Sequence, residues 1–415
     1  MTGVDSLRAD SSGAEVASRR GEWGTAVVAC GAHALHDGYT DLIYVLLPIW
    51  QEEFGIGYAE LGLLRAMYSG TMAGLQIPSG LVAERLGAAA VLAAGTSLAG
   101  LGYCLAGPST GVGLLMITLF LSGLGSSTQH PLASAAVAHA FAGPRSMQAI
   151  GAYNFAGDVG KMAIPAAAAL LMVVLPWRAV LALIGSLGLL AGLGNFLFLP
   201  RADRNVPPLQ PSEKERVASS VVDGRLAFPV LISIGVIDSA TRMGFLLFLP
   251  FLLTAKGASV PTLGLALALV FAGGAAGKLV CGFLGARIGV IATVWLTEGL
   301  TALLILMLLP LPLSPALMLL PAVGVVLNGT SSVLYGSVPD VVAAPRRTRA
   351  FSMFYTATIG AGATSPVLYG ALGDALGVPA AVTIVACLVL VALPLSLALR
   401  PSLAKAHLAR IEPVG

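Results

Sequence analysis

The chain has 415 residues and a formal charge of +3, and 57% of its residues are hydrophobic against 10% charged, with a mean hydropathy of +0.88. A water-soluble domain carries about 25% charged residues, so this composition excludes a fold bathed in water on every side and makes lipid the expected solvent. The weak positive balance points to no nucleic-acid partner; what matters is where the positive charges fall along the chain.

Residues 1–23 are polar, hold Arg8, Arg19 and Arg20, and lack the apolar run of a signal peptide, so they read as a cytoplasmic tail. Apolar runs long enough to cross about 30 Å of hydrocarbon at about 1.5 Å per residue then follow in order. They predict helices near 24–50, 58–83, 88–107, 111–138, 147–175 and 178–199. The stretch 200–225, with Pro207, Pro208, Pro211, Glu213, Lys214, Glu215 and Arg216, reads as a solvated cytoplasmic linker. A second set is predicted near 226–254, 261–285, 288–309, 314–338, 349–372 and 378–399, before a tail over 400–415. The architecture expected is all-α, with twelve transmembrane helices in two six-helix bundles, 24–199 and 226–399. Cys30, Cys104, Cys281 and Cys387 lie singly in apolar stretches, as packing residues do, without the spacing of a disulfide or zinc framework.

With the N-terminus in the cytoplasm, nearly all loop Lys and Arg residues share its side and only Arg178 and Lys256 fall on the other, which is the positive-inside pattern. Both termini are therefore expected in the cytoplasm, the chain residing in the cell (inner) membrane as a monomer. A shift of roughly two hundred positions superimposes Asp37 on Asp238, Pro48 on Pro250, Gly80 on Gly282, Arg85 on Arg287, Gly87 on Gly289 and Pro144-Arg145 on Pro345-Arg346. Six spans separate the equivalent points, so the copies share an orientation, and a solute path between parallel halves follows.

Gly80-Leu-Val-Ala-Glu84-Arg85-Leu-Gly87 resembles the loop signature of the major facilitator superfamily, and Gly282-Phe-Leu-Gly-Ala-Arg287-Ile-Gly289 is similar to its second copy. Within that superfamily, His33-Ala-Leu-His36-Asp37, Pro48-Ile-Trp-Gln51-Glu-Glu53-Phe54 and Gly123-Leu-Gly125-Ser126-Ser127-Thr-Gln-His130-Pro131 resemble the fosmidomycin-resistance exporters. The chain departs from that branch at Leu132 and at Ile164-Pro165. The resemblance implies alternating access, a watery cavity lined by all but the third helix of each triplet, and a gate in which Glu84 and Arg85 engage the other half. The alternative for these two residues is topology alone.

An ionisable side chain within a span costs about 3 kcal/mol on insertion scales, so each must be paired, hydrated or functional. They are Asp37, Asp41, Arg65, Asp158, Lys161, Asp238, Arg242, Lys278 and Glu298. His33, Asp37 and Asp41 recur every four residues and share one face of their helix. Asp41 and Arg65 lie at matching depths, roughly 25 and 27 Å from their cytoplasmic ends, which suits an ion pair. Asp238 and Arg242 repeat that pattern in the second half.

Asp37, the less obviously paired carboxylate, is the first candidate for a proton carrier, since burial and nearby Asp41 penalise its ionised form; Asp41 and Asp238 are the further proton-coupling candidates. Arg65, Arg242, Asp158, Lys161, His33, His36 and His130 are candidates to line the substrate site. The competing reading is a set of mutually neutralised pairs that hold helices together; Asp158 and Lys161, three residues apart, can satisfy each other. No metal is expected, since nothing completes a shell around His33, His36 and Asp37. Glu298 fits neither scheme.

The expected function is secondary active transport of a small organic solute, anionic or drug-like, by proton-coupled export. No cofactor beyond the proton gradient is expected. Uptake or exchange of an organic acid is the alternative. A membrane sensor would call for a soluble domain, and an enzyme for a nucleotide loop or Gly-x-Ser-x-Gly elbow in a suitable context.

Overall fold

The structure, a computed structural model, describes residues 4–141, 144–199, 226–343 and 346–404, so the predicted linker and the chain beyond 404 lie outside the described residues. Among the described residues every regular element is a helix. In chain order they are α1 (Val4–Phe54), α2 (Tyr58–Gly74), α3 (Gln76–Leu86), α4 (Ala88–Ala106), α5 (Val112–Ser126), α6 (Gln129–Ala140), α7 (Pro144–Leu171) and α8 (Trp177–Phe198). After the linker come α9 (Ala227–Thr254), α10 (Val260–Ile288), α11 (Val290–Leu308), α12 (Leu313–Gly336), α13 (Val338–Val341), α14 (Arg347–Leu376), α15 (Val378–Val389) and α16 (Ala392–Leu397).

The differences from the predicted spans have local causes. α1 begins at Val4, and the expected tail contains no proline that would break it. Four predicted spans are each split in two, after Gly74, Ser126, Gly336 and Val389. A proline stands within about one turn beyond each break, at Pro78, Pro131, Pro339 and Pro394, where its ring clashes with the carbonyl four residues back and its missing N–H opens the ladder.

Eight helical segments are long and apolar enough to cross a membrane by length and composition alone. The predicted spans that fall short are the first, second, fifth and eleventh. The first three carry Asp37, Asp41, Arg65, Asp158 and Lys161, and α14 is rich in Ser, Thr and Gly. Chemistry lowers their hydropathy. Spans 177–198, 290–308 and 378–397 are the least buried, 39% against 56% for spans such as 227–254. Leu190, Leu193, Leu197 and Phe198 on α8 point outward, as side chains solvated by lipid do.

The chain divides into two compact units. The first comprises Met1–Asp41, Gly74–Ile164 and Leu175–Val206, and the second Leu42–Ala73, Pro165–Val174 and Pro207–Gly415. In the first, Ala29, Leu92, Leu132 and Tyr153 belong to one buried cluster. In the second, Leu231, Val294, Leu334 and Phe354 belong to another. These are equivalent positions under the repeat, so both copies build the same apolar knot. The duplicated Gly87 and Gly289 end their helices with φ of 91° and 83°, a backbone that only glycine adopts cheaply.

Within the second unit, the Asp374 carboxylate of α14 accepts from the backbone N–H groups of Tyr58 and Ala59 at 2.7 and 2.9 Å, capping the N-terminus of α2. Glycines 62 and 370 let these two helices meet backbone to backbone, against Pro366 and Tyr58. The two cations expected opposite the cytoplasm tie down loops. Arg178 donates to the Ser109 carbonyl at 2.9 Å in the first unit, and Lys256 to those of Leu309 and Leu311 at 2.8 and 2.6 Å in the second.

Candidate functional site

The polar stripe of α1 meets α7 inside the first unit. The helices approach closely because small residues line the seam. A Cβ at Gly160 would enter the backbone of Ala34, and one at Gly157 would lie 2.6 Å from Asp37 Oδ2 and 2.7 Å from His33 Cε1. That proximity brings Lys161 to Asp37, with Nζ 3.2 Å from Oδ2. Asp37 Oδ1 faces two imidazoles, His33 Nε2 at 3.5 Å and His130 Nε2 at 3.7 Å.

Asp37, expected as the less obviously paired carboxylate, is therefore corrected, because Lys161 pairs with it and not with its helical neighbour Asp158 alone. Lys161 reaches across to α1, and its charge also acts on Asp41 and Asp158. Asp37 thus meets three basic groups, Lys161, His33 and His130. The Asp37 side chain is 10% exposed, whereas Lys161 and His130 keep 28% and 31%.

Hydrogen bonding constrains the protons. His33 Nδ1 lies 2.8 Å from the Tyr153 carbonyl, which only accepts, so Nδ1 carries hydrogen. The ring also stacks on Tyr153 with centroids 3.9 Å apart and meets His130 edge-on at 5.3 Å. Nε2 then points at a carboxylate oxygen. That contact is attractive only if a proton lies between them, on the imidazole or on the carboxyl. One proton is therefore shared between the imidazole and the carboxylate, beside the Lys161 ammonium. His33, Asp37 and His130 also present donor atoms within 4.8 Å of one another, the spacing of a metal site. The Lys161 ammonium on the same carboxylate competes with a dication there.

His36 points elsewhere. Its Nδ1 lies 3.1 Å from Ser126 Oγ and its Nε2 3.1 Å from Thr96 Oγ1, which also accepts from Asn195. Both nitrogens are used in joining α1, α4, α5 and α8, so the ring offers no further donor to a solute. His36→Leu removes one hydrogen bond from each of two buried hydroxyls, at about 1 kcal/mol each. We expect a lower melting temperature by thermal-shift size exclusion, and transport per folded molecule within about twofold of wild type.

Arg65 on α2 is buried in the second unit, its guanidinium 5.1 Å from the centre of the Tyr44 ring, while Asp41 belongs to the first unit. On α9, half-buried Arg242 acts on Asp238 electrostatically, but among the described residues no ion pair joins them. The expected helical pair is replaced by a contact between Asp238 and Glu298 of α11, with Glu298 also meeting Thr330 of α12. Glu298 thus points inward from one of the least buried spans. The repeat offered the signal for it, because Glu298 is the counterpart of Thr96 in the His36 junction. Glu84 and Arg85 are exposed on the last turn of α3. Arg347, one of the cations near the start of α14, donates to the Pro339 and Val342 carbonyls of its own unit.

A duplicated helical membrane fold with an ion-paired cluster inside its spans has the architecture of a secondary transporter. The chain belongs to the Major Facilitator Superfamily, whose sequence pattern matches residues 29–236 and again 231–413. It is 25% identical over 267 residues to the "Probable L-galactonate transporter" of Escherichia coli strain K12, over 60% of this chain and 56% of that one. The chain spans little more than half the length of that relative.

Among solved structures, a point mutant of the nucleoside transporter NupG superposes with a TM-score of 0.75 at 14% identity, covering 92% of this chain and 99% of the other. A bacterial homolog of the human lysosomal transporter Spinster, inward-facing and occupied, gives 0.68 at 16% identity, covering 93% and 96%. These structural likenesses establish the fold.

Proposed function

We propose that the chain couples protons to the movement of a small organic anion by alternating access, with Asp37 as proton carrier and Lys161 as anion-binding group. The observation that carries this reading is the 3.2 Å contact between the two. While Asp37 is ionised it occupies the ammonium. Protonation of Asp37, delivered through His130 and His33, removes the attraction and leaves Lys161 free to take an anionic group from solute. Proton and anion then bind together, which is the logic of symport. The E. coli relative's name, an L-galactonate transporter, agrees with a carboxylate cargo. Arg65, Arg242, Asp41 and Asp238 belong to this scheme as supporting charges, and Glu84 and Arg85 as the cytoplasmic gate.

The second reading is proton-coupled export of drug-like molecules. It is supported by the resemblance of the His33–Asp37, Pro48–Phe54 and Gly123–Pro131 segments to the fosmidomycin-resistance exporters. The charge distribution supports residence in the inner membrane with cytoplasmic termini.

Proteoliposomes with an imposed pH gradient separate the two through the sign of coupling. Symport accumulates labelled sugar acids or other organic anions on the alkaline side, and a protonophore abolishes the accumulation. Export by exchange drives fosmidomycin or hydrophobic drugs toward the acid side. Flux of no organic anion under either gradient would overturn the proposal.

A further inference from the structure

The buried junction of the first half is chemically closed, because His36 has a hydroxyl on each ring nitrogen. Its counterpart in the second half is not. In the register that places Ala29 on Leu231 and Pro48 on Pro250, Thr96 becomes Glu298, Ser126 becomes Asn328 beside Thr330, and His36 becomes Asp238. Asp238 and Glu298 keep 4% and 1% exposure, and their carboxyl groups stand close enough to act directly on each other. Glu298 Oε1 is fully enclosed and has no donor from any other group.

An ionised carboxylate can only accept, so two carboxyls bond to each other only when one carries a proton. We infer that Asp238 and Glu298 form a proton-binding site of their own in the second unit, holding one shared proton between α9 and α11. The surrounding charge balances at that occupancy. Arg242, one turn along α9, acts on both carboxyls, so the proton-bearing pair and the guanidinium sum to zero. Loss of the proton leaves a net negative charge in a setting where uncompensated charge is expensive.

From α10 the pair is faced by the Cys281 thiol and from α12 by the Thr330 hydroxyl. α15 and α16 carry no charged side chain, and those of α14, Arg347, Arg349 and Asp374, stand near its ends. Amide isosteres replace the shared proton with a permanent N–H donor, so Glu298→Gln and Asp238→Asn each preserve the bond while removing the titration. Use of this site in coupling rests on the transport reading; its occupancy does not.

Infrared difference spectroscopy of the full chain in nanodiscs tests it directly, with light and heavy water to mark exchangeable protons. Wild type is expected to show a protonated-carboxyl stretch at neutral pH that shifts on deuteration and fades as the medium is made alkaline. Glu298→Gln and Asp238→Asn should each abolish that band, because the proton belongs to both groups. Asp37→Asn should leave it in place, which separates this site from the Asp37 cluster. A wild-type spectrum without the band from mildly acidic to neutral pH overturns the inference even if a variant misfolds. So does a band that survives both substitutions, or one lost in only a single variant.

Discussion

Asp37→Asn is expected to reduce gradient-driven accumulation at least about tenfold, the equivalent of about 1.4 kcal/mol or more of lost coupling, while exchange of labelled for unlabelled solute continues. The reasoning follows from what an amide keeps and loses. Asn preserves the volume of Asp37, and its oxygen still accepts from Lys161 Nζ, now 3.2 Å from Oδ2. It cannot ionise, so it can neither release a proton nor hold the ammonium away from an anion. The transporter becomes fixed in the form that binds solute, and anion affinity loses its dependence on pH. Counterflow in proteoliposomes reads the retained exchange, and accumulation under an imposed gradient reads the loss. Undiminished accumulation by a well-folded mutant would rule out Asp37 as the carrier.

Gly160→Ala is expected to cost more in folded protein than any other single-methyl insertion along α7. The added Cβ would run into the Ala34 carbonyl, and backbone cannot turn aside as a flexible side chain does. Gly38 on the facing helix is as tightly placed, with its own Cβ site 2.9 Å from the Gly160 carbonyl and closer still to Ile164. The helices must therefore separate, at about 1–3 kcal/mol or beyond for overpacking, and separation carries Lys161 away from Asp37. Gly151→Ala on the same helix is the control, since no atom lies within 4 Å of its Cβ site and alanine favours helix. Detergent-solubilised yield and melting temperature should fall for the first and hold for the second. Equal behaviour of the two would mean that the seam is looser than described.

The spans and the duplication were legible in the sequence because their causes are local. Length of apolar run sets a crossing, proline sets a break, and Gly87 and Gly289 mark the same corner twice. The pairing of charges was not, because it is decided by which helices touch. Asp158 lies three residues from Lys161, and a helical rule favours that neighbour. Asp37 becomes a partner only because Gly157 and Gly160 let α1 close in. Glu298 looked misplaced on a lipid-facing span, and its inward direction follows from helical phase.

The boundary between the compact units cuts α1 after Asp41 and α7 after Ile164, through the interior of both rods. Asp37 and Lys161 lie about one turn before those cuts, with Pro165 immediately beyond one of them. The two helices that hold the Asp37–Lys161 contact are therefore the same two that this boundary divides. Under the proposed function, a proton arriving at Asp37 would loosen one helix's hold on the other about one turn before each leaves the first unit.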